Sequence, residues 1–293
     1  MTVLTRPEGT LPEDLHISRR GLAGLVALGY AAAGSGADAA PITTSAEGLI
    51  IENVTMPGGL PGFVARPAAK GKHPAVIVVN EVFGVHEWIK DICRRFAQLG
   101  YVAIAPRFFF RNDPGNTLAT TTDFSIIMKL VGEAKNDQVM GDVGTTLDWL
   151  GKQAFADAKR LAITGFCWGG SVTWMAAGKF PQLKAGGAWY GRIKGSPTST
   201  EVRQYPIDLA ASLKAPVLGL YGALDKGIPV ADVEAMQAAL LAGKANPASA
   251  RSAIKLYPNS DHGFLADYRP SFNPVDGPDA WGRLLAHFKA NGV

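Results

Sequence analysis

Cysteine, charge and long hydrophobic runs are all scarce in this chain. Its 293 residues include only two cysteines, Cys93 and Cys167, so no disulfide framework can hold the fold. Because Cys93 falls on the apolar face of a predicted helix, we expect two free thiols. Charged residues make up 18% of the chain, and the net charge of +4 is spread without a basic run, so no nucleic-acid partner is predicted. No break in composition argues for two folded domains, so the sequence indicates one large domain with its own core.

The first forty residues differ in kind from the rest. Arg19-Arg20 precede a Gly/Ala-rich apolar run from Leu22 to Ala33, and Ala37-Asp38-Ala39-Ala40 come directly before Pro41. This order resembles a twin-arginine export signal and predicts a periplasmic protein, with an amphipathic or disordered extension on a cytoplasmic protein as the alternative. The run is too short and too rich in glycine for a stable membrane anchor. We therefore divide the chain into an N-terminal extension, residues 1–40, and one domain, residues 41–293.

From Leu49 onward, strand-like and helix-like segments alternate. Two short runs around Pro57-Gly58-Gly59 predict a hairpin at a sheet edge, and the apolar run Ala75 to Val79 predicts a strand buried on both faces. The predicted strands are 49–56, 62–66, 75–79, 101–105, 161–164, 185–190, 217–221 and 254–257, and the predicted helices are 87–99, 125–131, 138–150, 171–179, 230–241 and 278–291. The alternation predicts an α/β fold: a mostly parallel, doubly wound sheet of about eight strands with helices on both faces and no separate lid domain.

The segment Gly165-Phe166-Cys167-Trp168-Gly169 lies between a predicted strand and a predicted helix. In a nucleophile elbow the chain turns so sharply that glycine is needed two positions before and two positions after the central residue. Amides at the start of the following helix face the thiol and favour its ionised form. A lone cysteine is more often an inert core residue, so the interpretation of Cys167 as a nucleophile depends on the rest of the chain.

Three other reactive side chains follow predicted strands: Glu81, Asp225 and His262. Functional groups in parallel sheets collect at the carboxyl ends of the strands. Cys167, Asp225 and His262 occur in the order nucleophile, acid, histidine that α/β-hydrolases use. A turn aspartate or a surface-loop histidine would explain Asp225 or His262 singly, but not their order. The sequence therefore predicts a Cys-His-Asp triad.

The residues at these strand ends resemble the dienelactone hydrolase (carboxymethylenebutenolidase) family. The resemblance is carried by Asn80-Glu81-Val82-Phe83-Gly84-Val85-His86, Gly165-Phe166-Cys167-Trp168-Gly169-Gly170, Asp225 and His262-Gly263-Phe264, and it extends from about Leu49 to the C-terminus. It implies an α/β-hydrolase fold and a hydrolase that opens a small ester or lactone through an acyl-enzyme, without metal or cofactor. Cys167 would be the nucleophile, His262 the general base and then acid, and Asp225 the group that orients His262.

The resemblance implies further site residues. The backbone N–H groups of Val82 and Trp168 would form the oxyanion hole. Glu81 would contact the resting thiol and release it to ionise on moving away, because a carboxylate beside a thiol opposes its ionisation. Arg111 would bind a carboxylate of an anionic substrate, with Phe110 beside it in the pocket wall; a solvated loop charge is the alternative for Arg111.

Three positions depart from the family pattern: Gly263, Ala266 and Phe110 stand where a serine, a second carboxylate-binding arginine and a smaller or polar residue are usual. Arg269 is a nearby candidate to replace that arginine. The three consecutive phenylalanines at 108–110 favour a more apolar acyl or alcohol group. Two alternatives to a hydrolase keep the same fold, namely a non-catalytic binding scaffold and a thiol acyltransferase.

Overall fold

The computed structural model describes residues 43–195 and 204–293. The export signal predicted for residues 1–40 lies outside these ranges and stays a prediction. Within them, no helix combines the length and the apolar character needed to cross a membrane.

The described strands form one eight-stranded sheet in the order β1-β2-β4-β3-β5-β6-β7-β8. The strands are β1 Leu49–Met56, β2 Leu60–Pro67, β3 His73–Val79, β4 Val102–Pro106, β5 Ala156–Phe166, β6 Leu183–Trp189, β7 Val217–Gly222 and β8 Ala253–Tyr257. β2 runs antiparallel to β1 and β4, and every pair from β4 to β8 is parallel. The prediction of a mostly parallel sheet of about eight strands with an edge hairpin is therefore confirmed.

Helices cover both faces of the sheet. They are α1 Glu87–Gln98, α2 Phe124–Gly132, α3 Asn136–Gly151, α4 Trp168–Lys179, α5 Val230–Ala242, α6 Pro247–Ala250 and α7 Asp276–Ala290. On one face α1 packs against α7, where the Phe96 ring lies 4.8 Å from Trp281 and 6.2 Å from Phe288 between centroids. Right-handed crossovers place α3 and α4 on the other face, because the chain moves from β3 to β4 in one direction and from β4 through β5 to β6 in the other. The α/β-hydrolase fold is confirmed, and the described residues contain no lid domain.

Two elements begin three or more residues earlier than predicted. β5 starts at Ala156. Its first half, which includes Asp157 and Lys159, is partly exposed and contains no apolar run, so the sequence pattern did not reveal it. α4 starts at Trp168 rather than Ser171, directly after the elbow. The short helix α6 was not predicted; the Asn246 side chain caps it by accepting hydrogen bonds from Ala248 N and Ser249 N.

The phenylalanine run after β4 is mostly core rather than exposed loop. Phe108 and Phe109 are buried, and their rings contact Trp168 at centroid distances of 5.9 and 4.7 Å. These two phenylalanines therefore pack against the residue that follows the elbow rather than lying exposed in the loop. Phe110 is half-buried.

Candidate active site

The carboxyl ends of the parallel strands meet at one edge of the sheet, and the predicted residues follow them there. β3 and β5 are neighbours in register, with Val79 beside Gly165, so the loops carrying Glu81 and Cys167 leave the sheet side by side. β7 and β8 are also neighbours, with Gly222 beside Tyr257. This pairing brings together the loops that carry Asp225 and His262.

Cys167 occupies a strained elbow between β5 and α4. Its backbone has φ 56° and ψ −117°, a conformation that non-glycine residues rarely adopt. The flanking glycines are required by close backbone approach: a Cβ on Gly165 would collide with Gly169 O, and one on Gly169 would lie 2.5 Å from Val79 O. The sequence prediction that only glycine fits at these two positions agrees with this geometry.

The Asp225 carboxylate is oriented by its own loop and contacts the histidine ring. Its Oδ1 accepts hydrogen bonds from Gly227 N at 2.8 Å and Ile228 N at 3.2 Å. Its Oδ2 lies 2.7 Å from His262 Nδ1. The two loops are held together by Leu224 N, which donates to Ser260 O at 3.0 Å. One carboxylate oxygen is thus anchored and the other holds the imidazole.

The His262 ring connects Asp225 to the thiol, since it also interacts with the Cys167 side chain. Burial alone would lower the pKa of His262, but the charges of Asp225 and Cys167 outweigh that effect and raise it to about 10. Because Nδ1 faces Asp225, Nε2 is the ring nitrogen left for Cys167. The arrangement favours the protonated form of His262.

The backbone amides predicted for an oxyanion hole lie on the two loops that meet at the elbow. Trp168 is the first residue of α4, where helix geometry leaves the N–H without an intrahelical partner. Val82 follows Glu81 in the loop after β3. The backbone at Gly169 approaches Val79 O and Asn80 O so closely that no side chain would fit between them. The N-terminus of α4 therefore packs directly against the start of the loop that carries Glu81.

The Glu81 carboxylate is fully buried and accepts hydrogen bonds on both oxygens. Arg269 Nη2 donates to Oε1 at 2.7 Å, and the Tyr268 hydroxyl donates to Oε2 at 2.6 Å. His86 Nε2 lies 3.3 Å from Oε2. Burial alone would raise the pKa of Glu81, but the Arg269 charge and the His86 hydrogen bond lower it to about 2. These partners hold Glu81 in its ionised form.

Arg111 is directed toward α3. Its Nη1 and Nη2 donate to the two oxygens of Asp142 at 2.8 and 2.9 Å. The guanidinium also stacks on Phe110, with Cζ 4.4 Å from the ring centroid. This bidentate ion pair neutralises the positive charge of Arg111. The resemblance implied that this charge would bind a substrate carboxylate.

Comparison with known proteins gives the family. The model of the dienelactone hydrolase family matches residues 60–292. The chain belongs to the dienelactone hydrolase family.

Individual relatives cover nearly the whole chain. A protein named "Putative carboxymethylenebutenolidase" from Methylorubrum extorquens is 44% identical over 255 residues, which are 86% of this chain and 85% of the relative. A relative of the same name from Escherichia coli K12 is 41% identical over 268 residues, 90% of this chain and 96% of the relative. The crystal structure of a "Putative Dienelactone Hydrolase" from Klebsiella pneumoniae superposes with a TM-score of 0.75 at 45% identity, covering 82% of this chain and 98% of that one. The prediction of a hydrolase of this kind is confirmed.

In this dienelactone hydrolase homologue, sequence reasoning left part of the site unassigned. Arg269 was named as a candidate, but the sequence did not predict its buried ion pair with Glu81. Tyr268 was missed, and Tyr190 was treated only as the last residue of a strand. Tyr190 directly follows β6, so its strand-end position was the available signal.

The remaining reactive groups are accounted for. Cys93 and Cys167 are not joined in a disulfide, in agreement with the prediction, and Cys93 is buried in α1. Within residues 43–195 and 204–293, no cluster of three or more His, Cys, Asp or Glu side chains has an arrangement that could hold a metal ion.

Proposed function

We propose that this dienelactone hydrolase homologue is a cysteine-dependent hydrolase of a small carboxylic ester or lactone. Cys167, His262 and Asp225 would act as its triad through an acyl-enzyme. The observation that carries the proposal is the relay itself. Asp225 Oδ2 lies 2.7 Å from His262 Nδ1, and the same ring interacts with Cys167, which occupies a strained elbow.

Acylation follows from the charge state of this relay. The Cys167 thiolate attacks the carbonyl carbon, and the π electrons of the carbonyl move onto its oxygen. The N–H groups of Val82 and Trp168 donate hydrogen bonds to the oxyanion that forms. As the carbonyl re-forms, the bond to the leaving oxygen breaks, and that oxygen takes the proton from His262 Nε2. A thioester on Cys167 and a free alcohol or enol result; for a lactone, the alcohol or enol stays attached to the acyl group.

Deacylation reverses the proton transfer. Neutral His262 takes a proton from a water molecule as its oxygen attacks the thioester carbonyl. The second tetrahedral intermediate collapses with cleavage of the C–S bond, which releases the carboxylic acid and restores the thiolate beside protonated His262. Throughout, Asp225 holds Nδ1–H and stabilises the positive imidazolium.

Glu81 has an electrostatic role in this scheme rather than a proton-transfer role. Because its pKa is lowered to about 2, its carboxylate does not accept a proton at neutral pH. Its hydrogen bonds to Arg269 and Tyr268 hold the Arg269 guanidinium beside the site. Arg269 also interacts electrostatically with Cys167.

Arg269 is better placed than Arg111 to receive an anionic group of the substrate. Its Nη1 and the hydroxyl of Ser271 are buried and have no hydrogen-bond partner among the described residues. Both face the Cα of Gly263, where a Cβ would lie 3.1 Å from Nη1 and 3.3 Å from Ser271 Oγ. The missing side chain at Gly263 thus leaves two donors beside His262, whereas Arg111 is paired with Asp142.

Hydrolysis of p-nitrophenyl esters and of an unsaturated γ-lactone tests the reaction class. Cys167→Ala and His262→Ala are each expected to lower kcat/KM at least about 10³-fold. Cys93→Ala, a change at the buried thiol of α1, is the matched control and is expected to stay within about twofold of wild type. Full activity in Cys167→Ala would refute the triad.

Paired esters with and without a terminal carboxylate test the anion site. Ser271→Ala is expected to lower kcat/KM several-fold for the carboxylated ester alone, because a hydrogen bond to a charged group contributes about 1.5–3 kcal/mol at most. Equal effects on both esters would contradict this part of the proposal.

A further inference from the structure

Tyr190 adopts a backbone conformation that large side chains rarely adopt. It has φ 36°, and among the described residues only Asn116 and Cys167 share a positive φ without being glycine. Its N–H donates to Leu220 O at 2.8 Å, while Trp189 O accepts from Cys167 N at 3.0 Å. Cys167 N therefore donates to the carbonyl of the peptide group that joins Trp189 to Tyr190. This one hydrogen bond links the two strained residues, Cys167 and Tyr190. Strain of this kind persists where the surrounding structure imposes it, and it is concentrated at functional sites.

The strain directs the Tyr190 ring against the triad histidine. The ring meets His262 edge-on with centroids 5.0 Å apart, and Phe264 at 5.7 Å. On the other side it lies 6.4 Å from Phe166, the residue before the nucleophile. The ring is thus fixed between the elbow and the histidine loop.

The hydroxyl of Tyr190 is buried and has no hydrogen-bond partner among the described residues. A buried hydroxyl without a partner destabilises the fold, so each such group calls for an explanation. Burial, followed by the charge of Glu81, raises the pKa of Tyr190 well above its usual value, and Arg269 and Cys167 also act on it electrostatically. The group therefore keeps its proton at neutral pH and is a hydrogen-bond donor on the residue whose ring contacts the triad histidine.

We propose that the Tyr190 hydroxyl donates a hydrogen bond to an oxygen of the ester or lactone bound at Cys167, and so orients the substrate for attack. The inference rests on the proposed hydrolase function. It explains the strain and the unpartnered hydroxyl together, because bound substrate supplies the acceptor that the protein leaves out.

Tyr190→Phe tests the proposal, since it removes only the oxygen and keeps the ring. Tyr101→Phe is the matched control, because Tyr101 lies just before the amino end of β4, at the opposite edge of the sheet. Three quantities are measured for each variant: kcat/KM for a p-nitrophenyl ester, the rate of Cys167 alkylation by iodoacetamide, and Tm.

For Tyr190→Phe we expect a roughly five- to tenfold fall in kcat/KM, the loss of one neutral hydrogen bond. Alkylation, which needs no ester contact, should stay within about twofold, and Tm should be unchanged or higher because an unpaired buried hydroxyl is gone. Unchanged kcat/KM would overturn the proposal. A fall in Tm would overturn it by showing that the protein itself satisfies the hydroxyl, and an equal slowing of alkylation would show that Tyr190 acts through the triad. Failure of the proposed function gives a different result: no wild-type turnover and no acyl group on Cys167.

Discussion

Arg269 Nη2 donates a 2.7 Å hydrogen bond to Glu81 Oε1, and both side chains are fully buried. A buried charge pair is costly to break, since removing one partner leaves the other desolvated without compensation. Tyr268 closes the network by donating to Glu81 and accepting from Arg269 Nε at 3.0 Å. The loop after His262 is thereby fixed against the loop after β3.

The pair predicts a pH-dependent contribution to stability. The Glu81 pKa is about 2 in the folded protein against an ordinary value of 4.5, so the fold favours the carboxylate. The contribution is complete above about pH 4.5 and is lost as the pH falls toward 2; in full it amounts to roughly 3 kcal/mol. Urea unfolding at pH 7, 5 and 3.5 should show a fall for wild type that is smaller in Glu81→Gln.

An exposed glutamate provides the control for Glu81. Glu87→Gln removes a surface ion pair with Lys90 and is expected to change the free energy of unfolding by less than about 1 kcal/mol at pH 7. Glu81→Gln should cost roughly 3–5 kcal/mol there, because Arg269 loses its charged partner. If the two variants were equally stable at pH 7, the buried pair would have no special role.

Asp225→Asn separates anchoring from charge. The asparagine oxygen can still accept from Gly227 N and Ile228 N, so the loop is expected to fold as before. The amide no longer stabilises protonated His262, and kcat should fall about 10³- to 10⁴-fold. Asp157→Asn, at the exposed amino end of β5, should leave kcat unchanged. Circular dichroism of both variants checks the fold, and a loss below tenfold in Asp225→Asn would contradict the triad.

The two thiols should differ sharply in reactivity. Burial raises the pKa of Cys93, whereas Cys167 is paired with a histidine whose pKa is raised to about 10. Brief iodoacetamide treatment of the native protein is expected to give one adduct, on Cys167, at pH 6 as well as at pH 8. Cys93 should react only after unfolding. Peptide mapping distinguishes the sites, and a rate in His262→Ala equal to wild type at pH 6 would show that the ion pair does not activate the thiol.

Chain order made the proposed triad predictable, because Cys167, Asp225 and His262 each lie in the turn or loop after a strand whose apolar pattern is visible in the sequence. Arg269 was harder to place, since its position depends on the turn at Gly263, with φ 78°, which folds the following loop back over Glu81. The burial of Phe108 and Phe109 could not be predicted, because it comes from contact with Trp168, a residue distant in the sequence. Contacts between residues that are distant in the sequence, unlike strand periodicity, leave no local pattern in the sequence.

The close backbone packing at the elbow predicts that a side chain at position 169 destabilises the fold. Gly169→Ala would place a Cβ 2.5 Å from Val79 O and 2.7 Å from Asn80 O, and these backbone atoms cannot move aside as a flexible side chain would. We expect a loss of at least about 2–3 kcal/mol in the free energy of unfolding, or loss of the folded state. Gly282→Ala, on the exposed side of α7 with no atom in contact, should instead add about 0.5–1 kcal/mol. Urea unfolding compares them; equal stability would show that the elbow tolerates a side chain.

Intact-mass spectrometry after rapid mixing with a p-nitrophenyl ester tests the central claim most directly. The account predicts a transient adduct equal in mass to one acyl group, located on Cys167 by peptide mapping, that disappears as acid is released. Cys167→Ala should show neither adduct nor turnover. Turnover in that variant, or an acyl group on another residue of the wild type, would contradict nucleophilic catalysis by Cys167.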